Sequence, residues 1–437
     1  MIPTRWLIFT VSAALAIMTL LSAAGCNSSK PEKPIVLRVN YPFENRLYQQ
    51  YGYAFEKQHP NIRIEAVDLK LDKALYPDIV FMTSLDDYKQ QIEQEKLVSL
   101  EPIIARDREG GELLKRLSPI VTDMLRSSDN QLYALSAYYS SGGLFYNIDL
   151  FQKYGVPFPT NRMSWSEVLQ LAARFPDRGE QGKPLFGFAT NYYEDIVFSL
   201  FLEAGETEGL SFIHPKTLDI SIDTEKWGRL YESVIRSASD GGIYNRADAG
   251  GADPLYTGEA AMQLKSENAP VYMEQAAKFY KLDPIHWGVV TAPVNPERPE
   301  YSNYYSLYGI FGISADTRYK DEAWEFIKFA VGNTDNIRRN MARGDGMIPA
   351  IQEVELAVDG HDMSALTMQL PEKAAIDPYD EVPYEIINAF KAVGEEVTER
   401  AIRGELSASE ALREIERKGQ LAVDEAKIAL AVTNAVN

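Results

Sequence analysis

The sequence predicts an α/β protein organised in two domains. Three observations predict it. The N-terminal part reads strand–helix–strand–strand–helix. Segment 77–82 is nearly continuously apolar, as expected of a strand covered by helices on both faces. The chain has 437 residues, more than the roughly 250–300 at which a single core stops growing.

Each element has its own signal. Residues 35–39 form the first strand, followed by a loop carrying Tyr41, Pro42 and Asn45. Leu47, Tyr51, Ala54 and Phe55 recur at helical spacing and predict a helix over 46–58, stopped by Pro60. Residues 62–67 alternate apolar and polar as a second strand, and 77–82 is the third. A helix over 86–96 follows. Residues 133–137 form a strand that leads through 138–143 into resumed strand character at 144–147. Ser164 and Glu167 have the spacing of a capping box and start a helix over 165–175. Strands are expected at 185–190, 260–264, 287–290 and 308–313. Helices are expected at 193–203, 224–237, 270–281 and 320–331. The Gly-rich acidic stretch 240–253 is a loop. From about 383 the tail is helical, over 383–402 and 408–430, with Ile386, Phe390, Val393 and Val397 on one face.

Composition narrows the chemistry. Cys26 is the only cysteine, so disulfides, thiolate metal sites and a cysteine nucleophile elsewhere are excluded. The formal net charge is -19, and no basic stripe is visible, which argues against a nucleic-acid partner. Tyrosine occurs 25 times. Its flat apolar face and polar tip suit wet recognition surfaces as well as cores. His59, His214, His286 and His361 lack metal-ligand spacing, and neither a Gly-x-Ser-x-Gly elbow nor a phosphate loop occurs. No metal, cofactor or catalytic residue is therefore expected. Paired acids such as Asp86 with Asp87, Glu194 with Asp195 and Glu395 with Glu396 read as solvated faces rather than as a hydrolytic pair.

The N-terminus reads as an export signal over 1–25. Arg5 precedes an apolar run from Trp6 to Leu21, then the small residues Ser22, Ala23, Ala24 and Gly25, then Cys26. An apolar run this short is an h-region rather than a membrane span. The Ser22–Cys26 stretch resembles a bacterial lipobox, with Ala23 standing where leucine is commonest. That resemblance implies cleavage before Cys26 and a lipid on its sulfur, with polar residues 26–34 as a tether. A secreted protein cleaved at the Ala-rich site, or an uncleaved anchor, is the alternative.

An ordered set of segments resembles the extracellular solute-binding proteins of family 1, the carbohydrate receptors of ABC importers. Residues 55–65, around Phe55, Pro60 and Ile64, are similar to that family's first helix and second strand, and 77–80 to its third strand. Residues 131–135 with 144–155, from Leu144 through Asn147 and Asp149 to Gly155, resemble its crossover between lobes. Ser164-Trp165-Ser166-Glu167-Val168 resembles the helix start that follows. Gly258-Glu259-Ala260-Ala261-Met262 resembles its Gly-x-Ala-Ala-Met strand. Residues 312–314 with 319–329 resemble the returning strand and helix. One departure stands out. The family often continues from the Ala-Ala-Met strand to a Gly-x-Trp that stacks on sugar, whereas here the stretch is Ser266-Glu267-Asn268-Ala269-Pro270.

The resemblance implies a two-lobed, periplasmic-binding-protein-like (type II) α/β fold with a hinge and an interlobe cleft. It places one lobe at 35–138 with 306–345, and the other at 139–305 with 346–437. It further implies a monomeric receptor at the extracytoplasmic face of a bacterial membrane that works with permease subunits and captures a small-molecule ligand, a sugar. Sugars offer hydroxyls and apolar C–H faces, which call for amide, carboxylate and hydroxyl partners and for aromatic rings. Strand-end loops rich in both supply the candidates. They are Tyr41, Asn45, Thr83 and Ser84; then Tyr138 and Tyr139 at the crossover; then Asn191, Tyr192 and Glu194; and finally Tyr304, Tyr305, Arg343 and Asp345. Several have structural alternatives. Thr83 and Ser84 can cap helix 86–96, Tyr304 and Tyr305 can belong to a core hairpin, and Arg343 and Asp345 can form a turn. Trp287 and Trp324 are expected in cores, and Trp165 in helix-entry packing. A non-sugar solute, such as a polyamine, amino acid or peptide, fits the same fold, and a glycoside-acting enzyme is the remaining rival.

Overall fold

The computed structural model of the protein describes residues 34–68, 76–179, 182–190, 196–244, 253–343, 347–354, 360–372 and 382–436. The chain divides into two compact units, Met1–Pro77 and Asp78–Asn437. The lipobox and Cys26 lie outside the described residues.

In the first unit, β1 (Ile35–Val39) and β2 (Ile62–Ala66) pair in parallel, Ile35 opposite Ile62 and Val39 opposite Ala66. Parallel neighbours need a crossover connection. Here it is helical, built from Glu44–Leu47, a π-helical turn Tyr48–Gly52, and Tyr53–Gln58. The connection buries Leu47, Tyr51 and Phe55, while the strands bury Leu37, Val39, Ile62 and Ile64. Glu56 ties helix to strand by accepting from the Ile64 backbone N–H at 2.9 Å, and the Tyr48 hydroxyl donates to the Ile64 carbonyl at 2.5 Å.

The second unit is organised by one mixed sheet. Its strands are β3 (Ile79–Met82), β4 (Ala134–Asn147), β5 (Phe186–Ala189), β6 (Ile243–Tyr244), β7 (Ala260–Ser266), β8 (Trp287–Thr291) and β10 (Tyr305–Ile313), with the short β9 (Tyr301–Ser302), β11 (Ile348–Pro349) and β12 (Leu370–Pro371) at its margins. The order is β3-β10-β4-β7-β5-β6, with β8 and β11 also on β4, while β12 pairs with β9. β3 carries four buried residues in succession, the pattern of a strand enclosed on both faces.

β4 is the organising strand. Its first half pairs antiparallel with β10, from Ala134 opposite Gly312 to Ser141 opposite Tyr305. Its second half, from Gly142, pairs with β7 on one side and β8 on the other. Sequence reading placed a link at 138–143, because serine and glycine are poor strand formers. The structure instead makes 14 continuous strand residues. The glycines are there for space. A Cβ on Gly143 would stand 2.6 Å from Leu366 Cδ2 and 2.8 Å from Val289 Cγ2.

Helices follow the expected pattern with shifted ends. The predicted capping box is present: Ser164 Oγ accepts from the Glu167 N–H, and Glu167 accepts from the Ser164 N–H at 2.8 Å. Trp165 is fully buried, with its indole N–H donating to Thr207 Oγ1 at 3.1 Å. Five helices were not read from sequence: Glu101–Arg106, Arg108–Arg116, Pro119–Leu125, Ile148–Tyr154 and Thr334–Met341. All are short, and in the first three Gly110, Gly111 and Pro119 interrupt the pattern that would reveal them. The C-terminal helices Tyr384–Ile402 and Ala408–Val436 join the core around the helix Ile196–Thr207. Phe390 is fully buried between Phe198 and Phe212, lying flat on the latter with ring centroids 5.1 Å apart. No helix among the described residues is long and apolar enough to cross a membrane.

Candidate functional site

A cavity of about 760 Å³ opens in the second unit where the ends of several strands meet. Thr83 and Ser84 reach it because β3 ends at Met82 and the chain turns into the helix Leu85–Glu93. Ser84 caps that helix as well, its Oγ accepting from the Asp87 N–H at 3.1 Å. β4 contributes Ser140, the end of β7 leads into Glu267 and Asn268, β9 and its turn give Ser302 and Asn303, and β10 gives Tyr305 and Tyr308. The wall therefore combines hydroxyls, amides and two phenol rings with the charged groups Asp86, Lys89, Asp123, Arg126, Glu372 and Glu267, of which only Glu267 is buried.

Glu267 is the deepest charged group on that wall, with 2% of its surface exposed. Its Oε2 accepts from Ser140 Oγ at 2.7 Å and from the Ser141 N–H at 3.1 Å, and its Oε1 accepts from Asn268 Nδ2 at 3.2 Å. Burial pushes the carboxyl above its ordinary value despite the opposing hydrogen bonds from Ser140 and Ser141. Around it the wall is fixed. Tyr305 donates to the Gln369 carbonyl at 2.8 Å, Glu372 pairs with Arg298 at 2.7 Å, Asp86 with Lys89 at 3.3 Å, and Arg126 with Glu101 at 3.1 Å. Among the described residues, no group of three or more His, Cys, Asp or Glu is placed to hold a metal ion.

The candidates chosen from sequence are distributed unevenly. Thr83, Ser84 and Tyr305 line the cavity. Tyr139 is buried and lines a separate cavity of about 540 Å³, together with Ser118, Ile348 and His361. Its ring stands 6.2 Å from that of Tyr305, and burial pushes its hydroxyl up to about 12. Tyr138 is buried in β4 beside Ser136, whose Oγ donates to the Tyr138 carbonyl at 2.7 Å, and it is not on the cavity wall. Tyr304 points into the interior. Its hydroxyl donates to Glu203 Oε1 at 2.9 Å and lies 3.2 Å from Thr207 Oγ1, and burial with the nearby Glu203 raises it well above the ordinary phenol value. Arg343 is exposed just beyond the helix Thr334–Met341 and away from the wall. Tyr41 and Asn45 belong to the first unit. Tyr41 is buried and donates to Gln50 Oε1 at 2.6 Å, whereas Asn45 is exposed on the helix Glu44–Leu47. Asn191, Tyr192, Glu194 and Asp345 lie outside the described residues.

Glu267, Asn268, Ser140, Asn303 and Tyr308 line the site without having been singled out. The signal for the first two was present: they occupy the stretch after the Ala-Ala-Met strand where the expected Gly-x-Trp is missing.

Residues 44–337 match the sequence model of a family described as bacterial extracellular solute-binding protein. Solved structures resemble the whole fold. An extracellular solute-binding protein family 1 from Alicyclobacillus acidocaldarius is 16% identical with a TM-score of 0.63, covering 90% of this chain and 100% of that one. A sugar transporter from Rhizobium etli in an open conformation is 17% identical with a TM-score of 0.62, over 88% of this chain and 99% of that one. An ABC substrate-binding protein from Listeria monocytogenes, in complex with cycloalternan, is 17% identical with a TM-score of 0.57, over 90% and 99%. The fold is thus the two-lobed α/β fold of periplasmic solute-binding proteins.

Proposed function

We propose, from the premise that this chain belongs to the bacterial extracellular solute-binding protein family, that it is the receptor of an ABC importer and captures a carbohydrate in the cavity described above. The observation that carries the reading is the composition of that wall. Hydroxyls and amides from Thr83, Ser140, Asn268, Ser302 and Asn303 suit sugar hydroxyls, and the rings of Tyr305 and Tyr308 suit apolar sugar faces. A cavity of about 760 Å³ has room for several sugar rings. If the lobes divide at 138/139 and 305/306, as the family resemblance implies, the dividing points fall within β4 and at the start of β10, and closure would tighten the wall around a bound solute. The third expected division, at 345/346, lies outside the described residues. The chemistry ends at binding, with no bond made or broken.

A thermal-shift screen with neutral and amino oligosaccharides, amino acids, peptides and polyamines tests this. A ligand that binds only the native state at about 100 times its Kd adds about 2.7 kcal/mol, and saccharides are expected to raise Tm. A shift with amino acids or peptides alone would overturn the carbohydrate reading. Hydrolysis of chromogenic glycosides would overturn the restriction to binding. The lipobox resemblance supports an anchor at Cys26, with the monomeric receptor held near its permease. Cys26→Ala is expected to move the protein from the membrane fraction to the soluble one, and an unchanged distribution would remove the lipid.

A further inference from the structure

The charge at Glu267 is not explained by the fold. Two other carboxylates on the cavity wall are matched by cations of the protein, Asp86 by Lys89 and Glu372 by Arg298. The wall's guanidinium, Arg126, is turned to Glu101 and to the Asn130 carbonyl at 2.9 Å. Among the described residues Glu267 forms no ion pair, and its three donors are a hydroxyl, a backbone amide and a carboxamide.

Tying β4 to the end of β7 requires only an acceptor for Ser140 and Ser141, which a glutamine carbonyl supplies. An ionised carboxylate at this depth adds a desolvation cost that its three hydrogen bonds offset only in part, since burial still outweighs them. A carboxylate has about four acceptor positions, so Oε1, which holds Asn268 alone, keeps room for another donor. The rings of Tyr305 and Tyr308 share the wall and favour a cation near their faces. A chain with net charge -19 also draws cations toward it.

We infer that the solute carries a protonated amine that pairs with Glu267, so that the receptor takes an amino sugar in preference to its neutral counterpart. This rests on the carbohydrate reading of the same cavity and specifies it.

Titration calorimetry on the full-length protein tests the pairing with matched probes: the trimer of β-1,4-linked glucosamine, its N-acetylated form, and cellotriose, which has a hydroxyl in place of each amine. The glucosamine trimer is expected to bind at least tenfold more tightly than the other two. Glu267→Gln is expected to erase that margin while leaving the unliganded melting temperature near the parent's. The N-acetylated probe removes the amine without touching the protein, so the comparison stands even if the variant folds poorly. Equal binding of cellotriose, or a margin that survives Glu267→Gln, overturns the amine pairing and leaves the carbohydrate reading intact. Spermidine binding that depends on Glu267, with no saccharide bound, keeps the pairing and overturns the carbohydrate reading. Silence from every amine alongside binding of neutral saccharides overturns the pairing, and silence from all saccharides and amines overturns both.

Discussion

Asp107 shows how single side chains carry stability here. It accepts from the Trp324 indole at 2.7 Å and stands 2.9 Å from Lys328 Nζ. Burial alone would push its carboxyl up, but the hydrogen bonds from Lys328 and Trp324 outweigh it and hold the carboxyl below the usual range. A carboxyl lowered by folding contributes fully above its unfolded value of about 3.9 and loses that contribution as pH falls through the folded value. Asp107→Asn is therefore expected to cost about 1–2 kcal/mol near pH 7 and progressively less as pH falls below about 3.9. Urea unfolding across a series from pH 7 downward checks it, and a loss that stays constant throughout the series would exclude the electrostatic origin. At this scale the sequence was only partly legible. Tyr305 and Tyr304 are neighbours of the same type, yet one lines the cavity and the other donates to Glu203. Nothing in a run of tyrosines announces which hydroxyl meets a carboxylate from residue 203.

At the scale of elements, local chemistry was readable and pairing was not. The capping box at Ser164 and Glu167 was visible because both partners lie within one turn. The continuity of β4 was hidden because its strand character comes from neighbours on both sides rather than from its own residues. Gly143 is the clearest case, since space for its backbone is set by Leu366 and Val289. Gly143→Ala is expected to destabilise by about 1–3 kcal/mol, as overpacking does, measured as a shift in the urea midpoint. A neutral result would show that Leu366 and Val289 move aside freely. The π-turn at Tyr48–Gly52 was also invisible, because it leaves the spacing of Leu47, Tyr51 and Phe55 compatible with an ordinary helix.

At the scale of the molecule, the α/β class was legible from the strand–helix alternation, whereas the role of the tail was legible only as amphipathic helix. The structure sets Phe390 against Phe198 and Phe212, and joins Tyr231 to Thr398 hydroxyl to hydroxyl at 2.9 Å. Glu416 accepts from the Ile222 and Asp223 N–H groups at 2.8 and 2.7 Å. Ending the chain at residue 382 strips these partners from a buried core. Loss of a single buried Phe costs about 3–5 kcal/mol, and a domain's whole stability is about 5–15 kcal/mol. The truncated protein is expected to lose cooperative unfolding and become protease-sensitive. A sharp thermal transition in it would show that the core closes without the tail.

That arrangement also sets a timetable. Residues 196–239 are made well before the side chains of 384–423 that cover them. A chain emerging from the ribosome cannot complete this core until the helices Tyr384–Ile402 and Ala408–Val436 are free, because until then the partners of Phe198, Phe212 and Tyr231 do not exist. Folding of this part therefore depends on contacts between segments far apart in sequence, which form more slowly than local ones.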